Sequence, residues 1–491
     1  MLTVIREFIE KLYTAKVRYC HWKSNMALPQ ALSGATDIDL LVHRKDADLF
    51  RTTVNQVGFR PTVMKDGISF PSVEHYFALD EETGVLVHLH AYYRVVTGES
   101  LAKNFRLPLE EMLLANTREI SSVPVPTKSA ELIIFTLRMM LKHTSFMELL
   151  LLAKDWKQVT REIVWLLEAD SSAQAVRLVE DFLPSIDPGL FSDCLASLQS
   201  RAPVFRRILL GNRLRSSLRI YARNSLFWSL LDGAQKFAIL AFRRLTRSQK
   251  GMIPQSGGAV IAFVGPEATG KSTLLAEIRN WLGEHFAVAQ IHVGKPRSTL
   301  LTMLPNLLVP ALRFILPAQR SNRVTTQQTS DVWKSKPQET YPLMFAIRSV
   351  LLAYDRRALL TRAFSQASNG SIILCDRYPS STNGAPDSPQ LSQFPIARDR
   401  HPIIYRLAQI EKRLYREIPS PDLVIFLSVP VEVAIFRNNN RGKKEPEDYV
   451  RLRHAQSSNL EFEKAHVYKV NTDQPLDRTV LEVKKAIWKA L

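Results

Sequence analysis

Hydrophobic and polar positions follow three spacing regimes along the chain, and each predicts a different kind of structure. From residue 1 to about 125, helical and extended patterns alternate. Residues 2–16 and 46–57 space their apolar side chains for helices, 38–42 read as an apolar strand, and 84–92 are extended. This is the signature of a small α+β unit. From about 126 to 250 no strand pattern emerges; residues 132–142, 146–154, 156–168 and 172–182 carry helical spacing, with turn signals at Pro184 and Pro188. That stretch reads as a helical connector. Residues 248–258 (SQKGMIPQSGG) are polar, with a proline and three glycines, and mark a linker. From Ala259 onward, apolar strands and helices alternate, which predicts a parallel sheet covered on both faces. The expected fold is a multidomain α/β chain with domains at 1–125, 126–250 and 256–491.

Length agrees with this division, because 491 residues exceed what a single core buries. Two stretches stand out in hydropathy. Residues 299–318 contain three prolines, Asn306 and Arg313, a poor composition for a membrane span, and read as a broken buried or interfacial helix. Residues 227–244 (FWSLLDGAQKFAILAFRR) mix apolar and basic side chains. A helix packing between domains is the expectation there, with peripheral membrane contact as the alternative.

Composition narrows the setting. The three cysteines, Cys20, Cys194 and Cys375, are few, odd in number and far apart, which argues against a disulfide framework and for a reducing, cytoplasmic location. Residues 1–16 carry Arg6, Glu7, Glu10 and Lys11 among their apolar positions, unlike a leader. The formal net charge of +18 is scattered, densest at 206–223 and 243–250, and no nucleic-acid module accompanies it. Solvated helix faces account for most of it. A homodimer stays open.

The clearest chemistry lies behind the strand at 259–264. Gly265, Pro266, Glu267, Ala268, Thr269, Gly270, Lys271, Ser272 and Thr273 spell a complete phosphate-binding loop between that strand and a helix at 274–282. Its inward N–H groups and the helix N-terminus suit phosphate oxygens; Lys271 suits the β/γ-phosphates of ATP and the Ser272 hydroxyl suits Mg²⁺. Downstream, the apolar run of 372–378 (IILCDRY) places an acid, a base and Tyr378 at the carboxyl end of a sheet strand, the edge where open α/β sheets bind ligands. Residues 423–429 form another buried strand, followed by a helix at 431–437 and the cationic loop 438–444 (NNNRGKK). A mobile cationic loop suits the charge that develops in phosphoryl transfer.

Taken in order, residues 263–273 (FVGPEATGKST), 353–357 (AYDRR), 375–378 (CDRY), 421–437 (PDLVIFLSVPVEVAIFR) and 471–487 (NTDQPLDRTVLEVKKAI) resemble the thymidylate kinase family across nearly half of the chain. The resemblance implies an ATP- and Mg²⁺-dependent kinase. It implies that Glu267 faces the acceptor, that Arg356 holds the acceptor phosphate, and that Asp376 and Arg377 serve the acceptor and Mg²⁺ side. Arg437 and Arg441 would act as lid cations, with Lys271, Asp376 and these arginines catalytic and Tyr378 near the substrate. Residues 294–340 and 379–389 depart from the family pattern. The acceptor is therefore left as a small molecule, a nucleotide or a sugar phosphate.

A second candidate centre lies at 34–42 (GATDIDLLV). Asp37 and Asp39, two apart in a strand, project to one side and could share Mg²⁺. With 21–25 (HWKSN), this resembles the nucleotidyltransferase superfamily, which implies such a domain at the N-terminus. That superfamily's third carboxylate would fall in 87–90 (VHLH), where His88 stands instead. The leading expectation is a kinase of the thymidylate or nucleoside monophosphate type. The alternatives are nucleotidyl transfer at Asp37/Asp39 in a nucleotide-sugar or surface-polysaccharide pathway, and a nucleotide-gated scaffold without catalysis.

Overall fold

The computed structural model describes the chain apart from residues 66, 68–69, 71, 100–102, 143–145, 168–170, 201–202, 246–250, 306–342, 383–384, 394–397, 441–444 and 458–459. It divides into two compact units, Met1–Ser248 and Gln249–Leu491.

In the first unit, five strands lie side by side. β1 (Tyr19–His21), β2 (Ile38–Val42), β3 (Arg60–Met64), β4 (Val73–Leu79) and β5 (Leu86–Tyr92) follow the order β1-β2-β5-β4-β3. Only β2 and β5 run parallel; the other neighbours are antiparallel. Helices Thr3–Thr14 and Ala47–Gln56 occupy the predicted stretches. They cover one sheet face, where Ile5, Phe8 and Phe50 pack on Ile38, Leu40, Leu89 and Ala91. Alternation sends Asp39, Leu41, His88, His90 and Tyr92 to the other face. There Leu41 and Tyr92 join a core with Leu132, Phe135 and Leu137 from helix Lys128–Lys142 and with apolar residues reaching to Leu218. The α+β stretch and the helical stretch thus share a core.

The turn joining β4 to β5 is pinned. The Asp80 amide donates to Val85 O at 2.9 Å, and the Asp80 carboxylate accepts from Thr83 Oγ1 at 2.7 Å and from the Val4 amide at 3.1 Å. These bonds set the pairing of β4 with β5, in which His75 lies opposite His90 and Phe77 opposite His88.

In the second unit, β6 (Ala259–Val264), β7 (Val288–His292), β8 (Ile372–Asp376), β9 (Leu423–Ser428) and β10 (His466–Asn471) form a fully parallel sheet of order β7-β8-β6-β9-β10. β6 is buried along its whole length, as its unbroken apolar run predicts. The chain leaves β6 toward β7 on one side, and β9 lies on the other, so the carboxyl end of β6 marks a reversal of strand order. Helices Lys271–Gly283, Leu343–Ser368, Val431–Asn439 and Leu476–Ala490 connect or follow the strands. Of the proline-rich stretch 299–318, residues 300–305 are helical and 306–318 lie outside the described residues. The mixed apolar and basic stretch at 227–244 is a helix, Leu226–Leu245. Among the described residues, no helix is long and apolar enough to cross a membrane.

Candidate functional site

The loop 265–273 sits at the reversal point. Gly265 takes φ 148°, and a Cβ there would lie 2.5 Å from Leu427 O on β9. Only glycine fits. Ala268 and Gly270 adopt φ 63° and 86°, curling the loop into the helix Lys271–Gly283, whose N-cap Gly270 supplies no side-chain bond. The helix N-terminus, with its partial positive charge, is left for an anion. Lys271 Nζ donates to Gly265 O at 2.9 Å and Pro266 O at 2.6 Å. Thr269 Oγ1 donates to Pro266 O at 3.0 Å. Ser272 is exposed on the first turn of the helix. Beside the loop opens a cavity of about 330 Å³, lined by Ala268, Gly270, Thr273, Arg437, Thr472 and Thr479 among others.

A charged network extends from Glu267. Arg377 lies at the end of β8 with φ 72°, a left-handed conformation that costs a bulky residue about 1–3 kcal/mol. It bridges Glu267 at 3.2 Å and Asp387 at 3.3 Å. Asp387 Oδ1 in turn accepts from Arg356 at 2.5 Å. Burial opposes ionisation of Glu267, but the charges of Lys271, Arg377 and Arg453 outweigh it and hold the carboxyl below its usual range. Arg453 approaches Glu267 at 4.0 Å, and His454 Nε2 lies 3.0 Å from Glu267 O. Helix Glu447–Ser457, absent from the sequence reading, thus touches the loop.

Several predicted residues have partners that their positions in sequence did not suggest. Arg356 is 4% exposed, and besides Asp387 it donates to Val293 O at 3.2 Å and to Tyr415 Oη at 2.7 Å. It braces Asp387 from inside the unit. Arg377 is the more accessible of the two arginines. Asp376 reaches His292 Nδ1 at 3.2 Å. Tyr378 is buried, and its hydroxyl donates to Pro419 O at 2.5 Å; it also lines a separate cavity of about 710 Å³ with Ser380, Arg416 and Lys464, which no loop residue borders. Arg437 donates to Thr472 O at 2.8 Å. Arg441 lies outside the described residues; Asn438 donates to Glu445 O at 2.7 Å.

In the first unit, Asp37 and Asp39 do project to one face, yet they meet cations and imidazoles there. Lys23 Nζ lies 2.9 Å from Asp39 Oδ1. His90 Nδ1 lies 3.1 Å from the same carboxylate, and His88 Nδ1 lies 3.0 Å from Asp37 Oδ1. Burial opposes ionisation of Asp39, but Lys23 and His90 overcome it, and its carboxyl stays far below the usual range. Burial and the neighbouring His90 and His88 lower His75 to about 3, so it is neutral at physiological pH. The stretch 21–25 is built into the fold: Trp22 is buried against Tyr92, and the Asn25 amide donates to Glu131 at 2.8 Å. A hard Mg²⁺ ion, which favours oxygen ligands and carboxylate charge, fits this surround poorly.

The sequence reading missed Asp387, His292, Arg453 and His75. A period-two pattern shared by 73–79 and 86–92 was the available signal for His75.

No family model matches the chain. Curated relatives align with about half of it. The uncharacterised ATP-binding protein YghR of Escherichia coli (strain K12) is 24% identical over 247 residues, 49% of this chain and 90% of its own length. The thymidylate kinase of Pseudomonas fluorescens (strain Pf0-1) is 27% identical over 225 residues, 45% of this chain and 90% of its own. Among solved structures, deoxyadenosine kinase from M. mycoides with bound dATP is 18% identical, covering 46% of this chain and 98% of its own, at a TM-score of 0.25. The similarity to ATP-binding proteins and thymidylate kinases is thus established for about half of the chain, and nothing in these comparisons supports a nucleotidyltransferase-like domain.

Proposed function

We propose that residues 256–491 form an ATP-dependent phosphotransferase of the nucleoside monophosphate kinase type, moving the γ-phosphoryl of ATP to a small anionic acceptor. One observation carries the reading. The loop 265–273 and the network Glu267–Arg377–Asp387–Arg356 share Glu267, so a phosphate-binding element and a charged acceptor-side element meet at the carboxyl edge of one parallel sheet. The relatives named for ATP binding and thymidylate kinase activity support it.

In this reading, loop amides and the helix N-terminus bind the donor phosphates, and Lys271 exchanges its two carbonyl contacts for phosphate oxygens. Ser272 and Asp376 offer hard oxygen donors, which fit Mg²⁺; when bound, the ion neutralises charge on the β- and γ-phosphates. Arg377 and Glu267 orient the acceptor, with Arg356 holding Asp387 in place behind them. Arg437 at the cavity and Arg441, four residues on in sequence, supply lid cations. The acceptor is a nucleotide or a sugar phosphate. Nucleotidyl transfer at Asp37/Asp39 is not favoured, because Lys23, His88 and His90 engage both carboxylates.

The test measures ADP release from ATP and Mg²⁺ across a panel of nucleoside monophosphates, sugars and sugar phosphates. Acceptor-dependent ADP release is expected, falling at least about 100-fold in Lys271→Ala. Unchanged turnover in that variant would overturn the proposal.

A further inference from the structure

The sheet of the first unit concentrates imidazoles on one face. His88 and His90 stand two apart on β5, His75 lies opposite His90 on β4, and Asp39 lies opposite His90 on β2. Strand alternation and register therefore deliver His75, His88, His90 and Asp39 to the same side, with Asp37 two residues before Asp39. Each histidine offers a ring nitrogen, and the three lie within 4.8 Å of one another. All three are half-buried, reachable by water and by an ion.

We infer that His75, His88 and His90 bind a first-row transition-metal dication of the Zn²⁺ class, and that Asp37 and Asp39 orient the imidazoles rather than ligate the ion. The roles follow from which nitrogen each carboxylate engages. Asp37 takes Nδ1 of His88 and Asp39 takes Nδ1 of His90. A carboxylate accepting from Nδ1–H fixes the tautomer that leaves Nε2 with its lone pair, the arrangement found behind metal-bound histidines. His88 Nε2 faces His75 Nδ1 at 3.3 Å. Two nitrogens bound to a tetrahedral Zn²⁺ at about 2.0–2.1 Å stand roughly 3.3–3.4 Å apart. The second oxygen of Asp37, 3.8 Å from His90 Nε2, borders the same space. Phe77 stacks on His88, ring centroids 4.2 Å apart and planes within 7°, which holds that ring in place.

The donor set decides the class of ion. Neutral imidazoles suit Zn²⁺, Cu²⁺, Ni²⁺ and Fe²⁺, whereas Mg²⁺ requires oxygen. Lys23 neutralises Asp39, so that carboxylate is already committed to an ammonium and an imidazole. Three histidines leave a fourth position open to water or a substrate atom, as in catalytic zinc sites. The site belongs to the first unit, and its test is independent of phosphoryl transfer.

The experiment uses the untagged full chain, stripped with chelator and titrated with Zn²⁺ and Co²⁺ in competition with a chromogenic chelator. One equivalent of Zn²⁺ is expected, undisturbed by millimolar Mg²⁺, and the Co²⁺ form should show the intense visible bands of four-coordination. His88→Ala and His90→Ala should each weaken binding at least about 100-fold; Asp39→Asn should keep the stoichiometry and weaken affinity about 10–100-fold. His466→Ala, an exposed histidine of the second unit, should change nothing. Histidine acylation mapped by mass spectrometry tests the unmutated protein: Zn²⁺ should protect His75, His88 and His90. Absence of stoichiometric Zn²⁺ binding, unchanged affinity in His88→Ala, or no protection of these three residues would each overturn the inference and leave a hydrogen-bonded histidine cluster.

Discussion

Glu131 tests how the first unit supports its polar face. It is 1% exposed in the helix Lys128–Lys142 and accepts the Asn25 amide through Oε1 at 2.8 Å. Burial raises its carboxyl from 4.5 to about 7, only partly countered by the bonds from Asn25. An acid whose folded pKa exceeds its unfolded value stabilises the fold fully below the lower pKa and loses that contribution as pH rises through the higher one. The window is therefore 4.5 to about 7. A span of roughly 2.5 units at about 1.36 kcal/mol each gives about 3 kcal/mol. Glu131→Gln keeps the volume and the oxygen that Asn25 requires, and it cannot ionise. Oε2 has no hydrogen-bond partner among the described residues, so an amide there is no worse placed than a protonated hydroxyl. Near pH 5 the variant and its parent should differ by less than about 1 kcal/mol, and near pH 8 the variant should be more stable by about 3 kcal/mol. Hydrogen exchange of peptides from Lys128–Lys142, corrected for intrinsic rates, measures both. An equal difference at the two pH values, or a less stable variant near pH 8, would refute the reasoning.

Three further outcomes follow from the second unit. Gly265→Ala places a Cβ 2.5 Å from Leu427 O at a φ that itself costs about 1–3 kcal/mol; ATP affinity by calorimetry should fall at least about 10-fold. Asp387→Asn removes the charge between Arg356 and Arg377 and should destabilise the unit by about 3–5 kcal/mol in urea, since a buried arginine loses its partner. Arg453→Ala removes one of the cations that hold Glu267 ionised, so the acid limb of the kcat/KM profile should move to higher pH; an unmoved limb would exclude Arg453 from the site.

The loop 265–273 was legible in the sequence because its chemistry is local: the glycines, the lysine and the start of the following helix all lie within nine consecutive residues. The apolar runs of β6, β8 and β9 were legible for the same reason. Long-range pairing was not. Asp387 falls in 379–389, a polar run without periodicity, and only folding brings it to Arg356, 31 positions away. Arg356 resembles an acceptor clamp by its position in sequence, and its burial and its bonds to Val293 and Tyr415 could not be read there. Likewise, Asp37 and Asp39 suggested Mg²⁺ until the register of β2, β5 and β4 surrounded them with Lys23 and histidines. Strand alternation could place each side chain on a face, but it could not say which strands would be neighbours.

The turn pinned by Asp80 has a consequence for variation in this protein. Side chains alternate with a period of two, so a slip of one residue between β4 and β5 would bring Val87 and Leu89 to the polar face and send His88 and His90 into the core under the helices. A slip of two would preserve chemistry while shifting partners. The polar face is in effect a parity encoded in the chain, and Asp80 sets its phase. Asp80→Ala, in the turn five residues after His75 and eight before His88, should loosen that phase and scatter the histidines without touching any of them.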